Sequence, residues 1–149
     1  MKKPIQTVKN GDVICADRGF YNHYGVYDNG NVIDISPGKG DNSLSNKRNA
    51  FIQKKSLNSF LNGDPGYVDN SPGSYSSKNT IKRARAEIGT GKDSYDLINN
   101  NCEHKAREWQ TGYKKSYQVE TAATVGIVAL GVLGTLINIF AGSSGKNKT

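Results

Sequence analysis

Apolar and polar residues alternate most clearly between residues 11 and 36, GDVICADRGFYNHYGVYDNGNVIDIS. DVICA is a short apolar run and reads as a strand. NHYGVYD and NVIDIS flank Asn29-Gly30, and both of these residues tolerate the positive φ of a two-residue hairpin turn. A two-residue loop pairs Asp28 with Asn31, Tyr27 with Val32, Val26 with Ile33 and Gly25 with Asp34. Side chains alternate across a strand. His23, Gly25 and Tyr27 therefore share a face with Val32, Asp34 and Ser36, while Tyr24 and Val26 join Ile33 and Ile35 on the other. His23 then lies diagonally across from Asp34, with no side chain on Gly25 to separate them. A carboxylate in that position fixes the imidazole tautomer and favours its protonated form.

The pattern changes after residue 36. Residues 37 to 80 are rich in Pro, Gly, Ser and Asn, which makes them loop-forming, and only AFIQKKSLNSFL interrupts them as a strand or short helix. IKRARAEIG places Ile81, Ala84 and Ile88 at helical spacing before Gly89, predicting a short amphipathic helix over 81–89. Its basic side, Lys82, Arg83 and Arg85, reads as a solvated surface. SYDLI is a short connector to NNCEHKAREWQTG. There Asn100 or Asn101 can cap a helix whose first turn holds Cys102 and whose stop is Gly112. Backbone N–H groups and the helix dipole at that end favour a thiolate. The alternative is that Cys102 is a small buried hydrophobe. Cys15, within the DVICA strand, is expected in the core.

The last segment has a different periodicity. No charge occurs from Thr121 to Gly145, and AATVGIVALGVLGTLINIFAG, Ala122 to Gly142, has only Thr124, Thr135 and Asn138 as polar interruptions. Such a run matches the ~20 residues that cross a bilayer as a helix. Ala122 and Gly126 have the small-xxx-small spacing of weakly self-associating membrane helices. Residues 1–12 show no signal peptide. The expected organisation is a main domain at 1–115, a linker at 116–120, an anchor at 121–142 and a polar tail at 143–149. Lys105, Arg107, Lys114 and Lys115 outnumber Lys146 and Lys148 across the anchor, placing the domain on the cytoplasmic side.

Charge adds a partner class. All 13 acidic residues and 18 of the 20 basic ones precede residue 121, leaving that part with a net +5 suited to anionic headgroups. The charge is dispersed and no nucleic-acid motif is present, so nucleic acid is not an expected partner. Two cysteines without a wider framework fit a reducing compartment. No metal is expected. Cys102, His104, His23 and Asp34 match no zinc spacing, and His104 at i+2 faces away from Cys102 on a helix, which makes it structural.

GDVI, RGFYNHYGVY, NGNVID, IKRARAEIG and YDLINNNCEHKAREWQTG together resemble the lecithin:retinol acyltransferase-like family over about residues 11 to 112. This family includes small tail-anchored phospholipase/acyltransferases and is a permuted branch of the NlpC/papain-like thiol hydrolases. Asn101 to His104 carries the most specific part of the resemblance, with Tyr95, Leu97 and Gly112 in their expected places.

The resemblance implies an α+β fold, an antiparallel sheet packed against helices, with the C-terminal transmembrane helix added. It implies Cys102 as nucleophile, His23 as base, and Arg18, Asn101 and Tyr24 as site support. Asp34 falls where the family usually has histidine, Lys105 where it has an aromatic, and Tyr24 where tryptophan is common. The implied activity is phospholipase A1/A2 or acyl transfer on membrane glycerophospholipids through an acyl-thioester, with no cofactor. Two other readings stay open: a thiol peptidase or amidase of the same superfamily, and an inactive membrane-anchored interaction module.

Overall fold

The computed structural model describes residues 2–37, 50–91 and 102–113. All of them lie in the unit Met1–Lys115. Among the described residues no helix is long and apolar enough to cross a membrane, and the expected anchor at 121–142 lies outside them, as do the linker and tail.

The strands are β1 (Lys2–Pro4), β2 (Val13–Asp17), β3 (Asn22–Asp28), β4 (Asn31–Ser36), β5 (Phe51–Ser56) and β6 (Gly66–Asp69). The helices are α1 (Leu57–Leu61), α2 (Ser77–Ala86) and α3 (Cys102–Thr111). The six strands form one antiparallel sheet in the order β1-β6-β2-β3-β4-β5. The fold is α+β, as expected.

The β3–β4 hairpin has the register read from the sequence: Gly25 opposite Asp34, Val26 opposite Ile33, Tyr27 opposite Val32 and Asp28 opposite Asn31. Its turn takes positive φ at both Asn29 (49°) and Gly30 (79°), the type I′ geometry that follows the sheet's twist. β2 is buried on both faces, which explains a continuous apolar run in place of alternation. Val13 and Cys15 join Tyr24, Val26, Ile33, Ile35 and Ile52 in a core closed by Ala84, Cys102, Ala106 and Trp109 of α2 and α3. Ile14 and Ala16 face the other way, onto Val32, Val68 and Phe60 of α1, with Ile5 and Val8 at the margin.

Several elements differ from their expected form. AFIQKKSLNSFL is a strand followed by a helix, with the change at Ser56, whose hydroxyl accepts the Ser59 N–H at 3.1 Å and caps α1. α2 begins four residues before the apolar spacing does, because its first turn, Ser77-Lys78-Asn79, is polar and is started by the Ser76 cap. It ends at Ala86, which leaves Ile88 exposed beyond it. β6 comes from a segment read as loop, and β1 from one for which the sequence predicts no element. β1 has no buried residue and β6 is four residues long after a proline, so neither shows alternation.

Arg85 is not simply solvated. Its Nε and Nη2 donate to Asp28 at 2.8 and 2.7 Å, and Lys54 Nζ donates to the same carboxylate at 2.8 Å. The Asp28 side chain is fully buried. The Arg85 hydrogen bonds, with help from Lys54 and against the opposing effect of burial, lower it from 3.8 to about 2. A depressed carboxylate contributes stability that is present above its unfolded value and is lost as pH falls through its folded one. Chemical denaturation is therefore expected to show stability declining from pH 4 toward pH 2, with a visibly shallower decline in Asp28→Asn.

Candidate active site

His23 lies at the start of β3, Asp34 is on the neighbouring β4, and Cys102 is the first residue of α3. His23 Nε2 and Asp34 Oδ2 are 2.6 Å apart. The diagonal contact depends on Gly25. A Cβ there would lie 2.5 Å from Val32 Cγ1, 2.9 Å from the Ile33 carbonyl oxygen and 3.2 Å from Asp34 Cβ, so a side chain at Gly25 would occupy the space through which the strands and the two functional groups approach.

Besides its contact with Asp34, His23 shares a side-chain hydrogen bond with Cys102. The thiol also lies 3.8 Å from the Asn22 carbonyl oxygen. Phe60 of α1 stacks on the imidazole, ring centroids 5.2 Å apart and planes at 29°. The ring is thus held by a carboxylate at Nε2, by the Cys102 thiol and by an aromatic face.

Burial opposes charge on His23. The Cys102 sulfur outweighs it together with the hydrogen bonds to Asp34 and Cys102 and the Asp34 charge, so the imidazole is raised from 6.5 to about 9. Burial would likewise raise Asp34, whose side chain is fully inaccessible, but the hydrogen bond and charge of His23 and the nearby Lys55 hold it below the usual carboxylate range. Lys55 Nζ is 3.1 Å from Asp34 Oδ2 and donates to Ser36 Oγ at 2.6 Å. A thiol, imidazole and carboxylate in this order can pass a proton from sulfur to nitrogen and hold the resulting cation.

The other site residues have separate places. Arg18 is held against α1 and the loop after it. Its guanidinium donates to the carbonyls of Phe60 (2.6 Å) and Leu61 (2.7 Å) and pairs with Asp64, which ties down the helix that backs His23. Tyr24 points to the face opposite His23 and is buried in the core with Cys102, its ring centroid 6.0 Å from the Arg107 guanidinium carbon. Burial, with the nearby Glu103 charge, raises its phenol. His104 is buried in α3. Asn101 lies outside the described residues. Among the described residues no three His, Cys, Asp or Glu side chains gather as a metal-binding set.

Phe60 and Lys55 were not legible as site residues. Each touches the His23–Asp34 pair only because β5 and α1 return beside β4, and no local spacing announces that return. Cys15, by contrast, is core as expected, with its thiol pushed by burial up to about 11.

Known proteins give the chain a family. The lecithin retinol acyltransferase profile matches residues 6–115, a span that contains His23, Asp34 and Cys102. Across 93% of its length the chain is 30% identical to phospholipase A and acyltransferase 3 of Pongo abelii, covering 96% of that protein. The Homo sapiens protein of the same name is 29% identical over the same shares. Phospholipase A and acyltransferase 1 of Rattus norvegicus is 29% identical, over 87% of this chain and 85% of the relative. The chain belongs to the lecithin retinol acyltransferase family.

Proposed function

We propose that the protein is a membrane-tethered thiol acyl hydrolase or acyltransferase acting on the acyl esters of glycerophospholipids. The observation that carries this reading is the line from Cys102 through His23 to Asp34, with the imidazole raised to about 9. Relatives named phospholipase A and acyltransferase support the substrate class.

In this mechanism Cys102 gives its proton to His23, whose charge Asp34 stabilises. The sulfur attacks the ester carbonyl, and backbone N–H groups at the start of α3 stabilise the oxyanion. The C–O bond breaks, and the lysophospholipid oxygen leaves with the proton from His23. Water, an amine or a lysolipid hydroxyl then attacks the thioester. Its proton passes through His23 back to sulfur. Water makes the reaction a phospholipase A1/A2, and an amine or hydroxyl makes it an acyl transfer.

The tether is the apolar run at 121–142, with weak pairing through Ala122 and Gly126. Confining enzyme and ester to one bilayer raises their effective concentration.

Incubating the full chain with a labelled phospholipid and measuring its intact mass tests the reading. The expected result is a transient gain of one acyl chain with release of labelled lysophospholipid. Acylation by amide or peptide substrates alone would move the protein to the peptidase branch. No adduct and no turnover on either would leave an interaction module.

A further inference from the structure

The turn between β2 and β3 presents Phe20 to solvent completely, at 104% relative exposure. Fraying does not account for this, because the turn is tied internally. The Arg18 N–H donates to the Tyr21 carbonyl at 2.9 Å, the Phe20 N–H to the Arg18 carbonyl at 3.0 Å and the Gly19 N–H to Asp17 Oδ1 at 2.9 Å. Arg18 fastens the same turn to α1. Leaving a phenylalanine in water forgoes the stabilisation that burial would contribute. A hydrogen-bonded turn that holds the ring outward offers it to an apolar partner.

The neighbours narrow the choice. Tyr21 is 43% exposed; partial burial raises its phenol from the ordinary value, and the group lies within electrostatic reach of Arg18 and Cys102. Asn22 follows. Its carbonyl faces the Cys102 thiol and its side-chain oxygen accepts from Lys2 Nζ at 3.3 Å. Lys2 also lies 5.1 Å from the centre of the Tyr67 ring. A projecting ring, a phenol and an ammonium thus gather around the residue that touches the thiol. One ring beside polar groups is far smaller than the apolar centre of an ordinary protein interface. The set suits the membrane boundary, where aromatic rings sit at headgroup depth and lysines reach lipid phosphates.

We propose that the β2–β3 turn is a bilayer-docking rim, in which Phe20 enters the headgroup–acyl boundary, Tyr21 rests among the headgroups and Lys2 meets a lipid phosphate beside Cys102. The inference rests on the phospholipid reading above and adds the surface through which the site meets its substrate. It makes the domain's orientation on the membrane a property of the turn as well as of any anchor.

Tryptophan fluorescence tests it in the full chain. The native protein has one tryptophan, Trp109, which is 1% exposed and supplies a constant baseline. In Phe20→Trp, vesicles of phosphatidylcholine and phosphatidylserine with brominated acyl chains should quench the added indole and shift its emission to the blue. Quenching should be greatest for bromines ~5–10 Å below the headgroups. Adding Lys2→Glu should reduce it. Quenching no greater than that of the native protein would overturn the docking rim, and quenching indifferent to Lys2→Glu would remove Lys2 from it. The acyl-adduct measurement in the same vesicles separates the two readings: adduct without added quenching sinks the rim alone, and quenching without adduct sinks the acyl chemistry alone.

Discussion

Cys102→Ala is expected to abolish turnover of phospholipid and the acyl adduct together, with a rate loss of about 10⁴-fold or more, as when a covalent nucleophile is removed elsewhere. The loss should be chemical. Cys102 is 4% exposed and joins a core that includes Ala106 and Trp109, so trimming its sulfur is expected to cost on the order of 1 kcal/mol, similar to small truncations in other cores, and the variant should stay folded by circular dichroism. Cys102→Ser should be nearly as inactive, because a hydroxyl does not yield its proton to imidazole as a thiol does. Alkylation gives an independent readout. A single equivalent of iodoacetamide at neutral pH should modify native protein and Cys15→Ala but leave Cys102→Ala untouched, since burial holds the Cys15 thiol up at about 11. Selective labelling of Cys15 instead would remove the reason for choosing Cys102.

Why the site could be read at all follows from where its information lies. Asn29-Gly30 fixes a two-residue loop, the loop fixes the register, and the register carries His23 to Asp34 with Gly25 between them. Each step is local in sequence. Cys102 needed the family resemblance, because nothing between residues 37 and 101 states how α3 returns to the start of β3. The same distance along the chain hid Lys55, Phe60 and the role of Arg18, whose partners are 42 to 46 residues away. Arg85 looked solvated for a related reason: Asp28, its partner, is 57 residues off on a different element. Alternation shows which face of an element is covered, but not which distant charge covers it. β1 and β6 lacked even that signal, since a three-residue edge strand and a four-residue strand contain too few positions for alternation to register.

Asp34 is the proposed partner of the His23 imidazole, 2.6 Å from its Nε2, and its substitution is the second large effect expected. Asp34→Ala should lower the rate of phospholipid turnover by about 10²- to 10⁴-fold, as losing the orienting acid does in other nucleophile–base–acid sites. The cause is legible in the titration of His23. Burial lowers the imidazole, and the sulfur of Cys102 and the Asp34 carboxylate together raise it to about 9. Without the carboxylate, part of the raising influence goes while burial remains, so the His23 midpoint followed by NMR should move down toward or below 6.5. The same change should appear in stability. A histidine raised in the folded state contributes stability that is complete below its unfolded value near 6.5 and is lost as pH rises through about 9. Native protein should therefore lose stability across that interval, and Asp34→Asn should lose less. Asp34→His should recover more turnover than Asp34→Ala, because a neutral imidazole can still accept the His23 proton donor and fix its tautomer. Recovery should stay incomplete, since Lys55 Nζ, now 3.1 Å from a carboxylate oxygen, would face a ring with no negative charge to answer it. If Asp34→Ala turns over phospholipid at the native rate with an unmoved His23 midpoint, the carboxylate is a structural partner of Lys55 and the imidazole works without it.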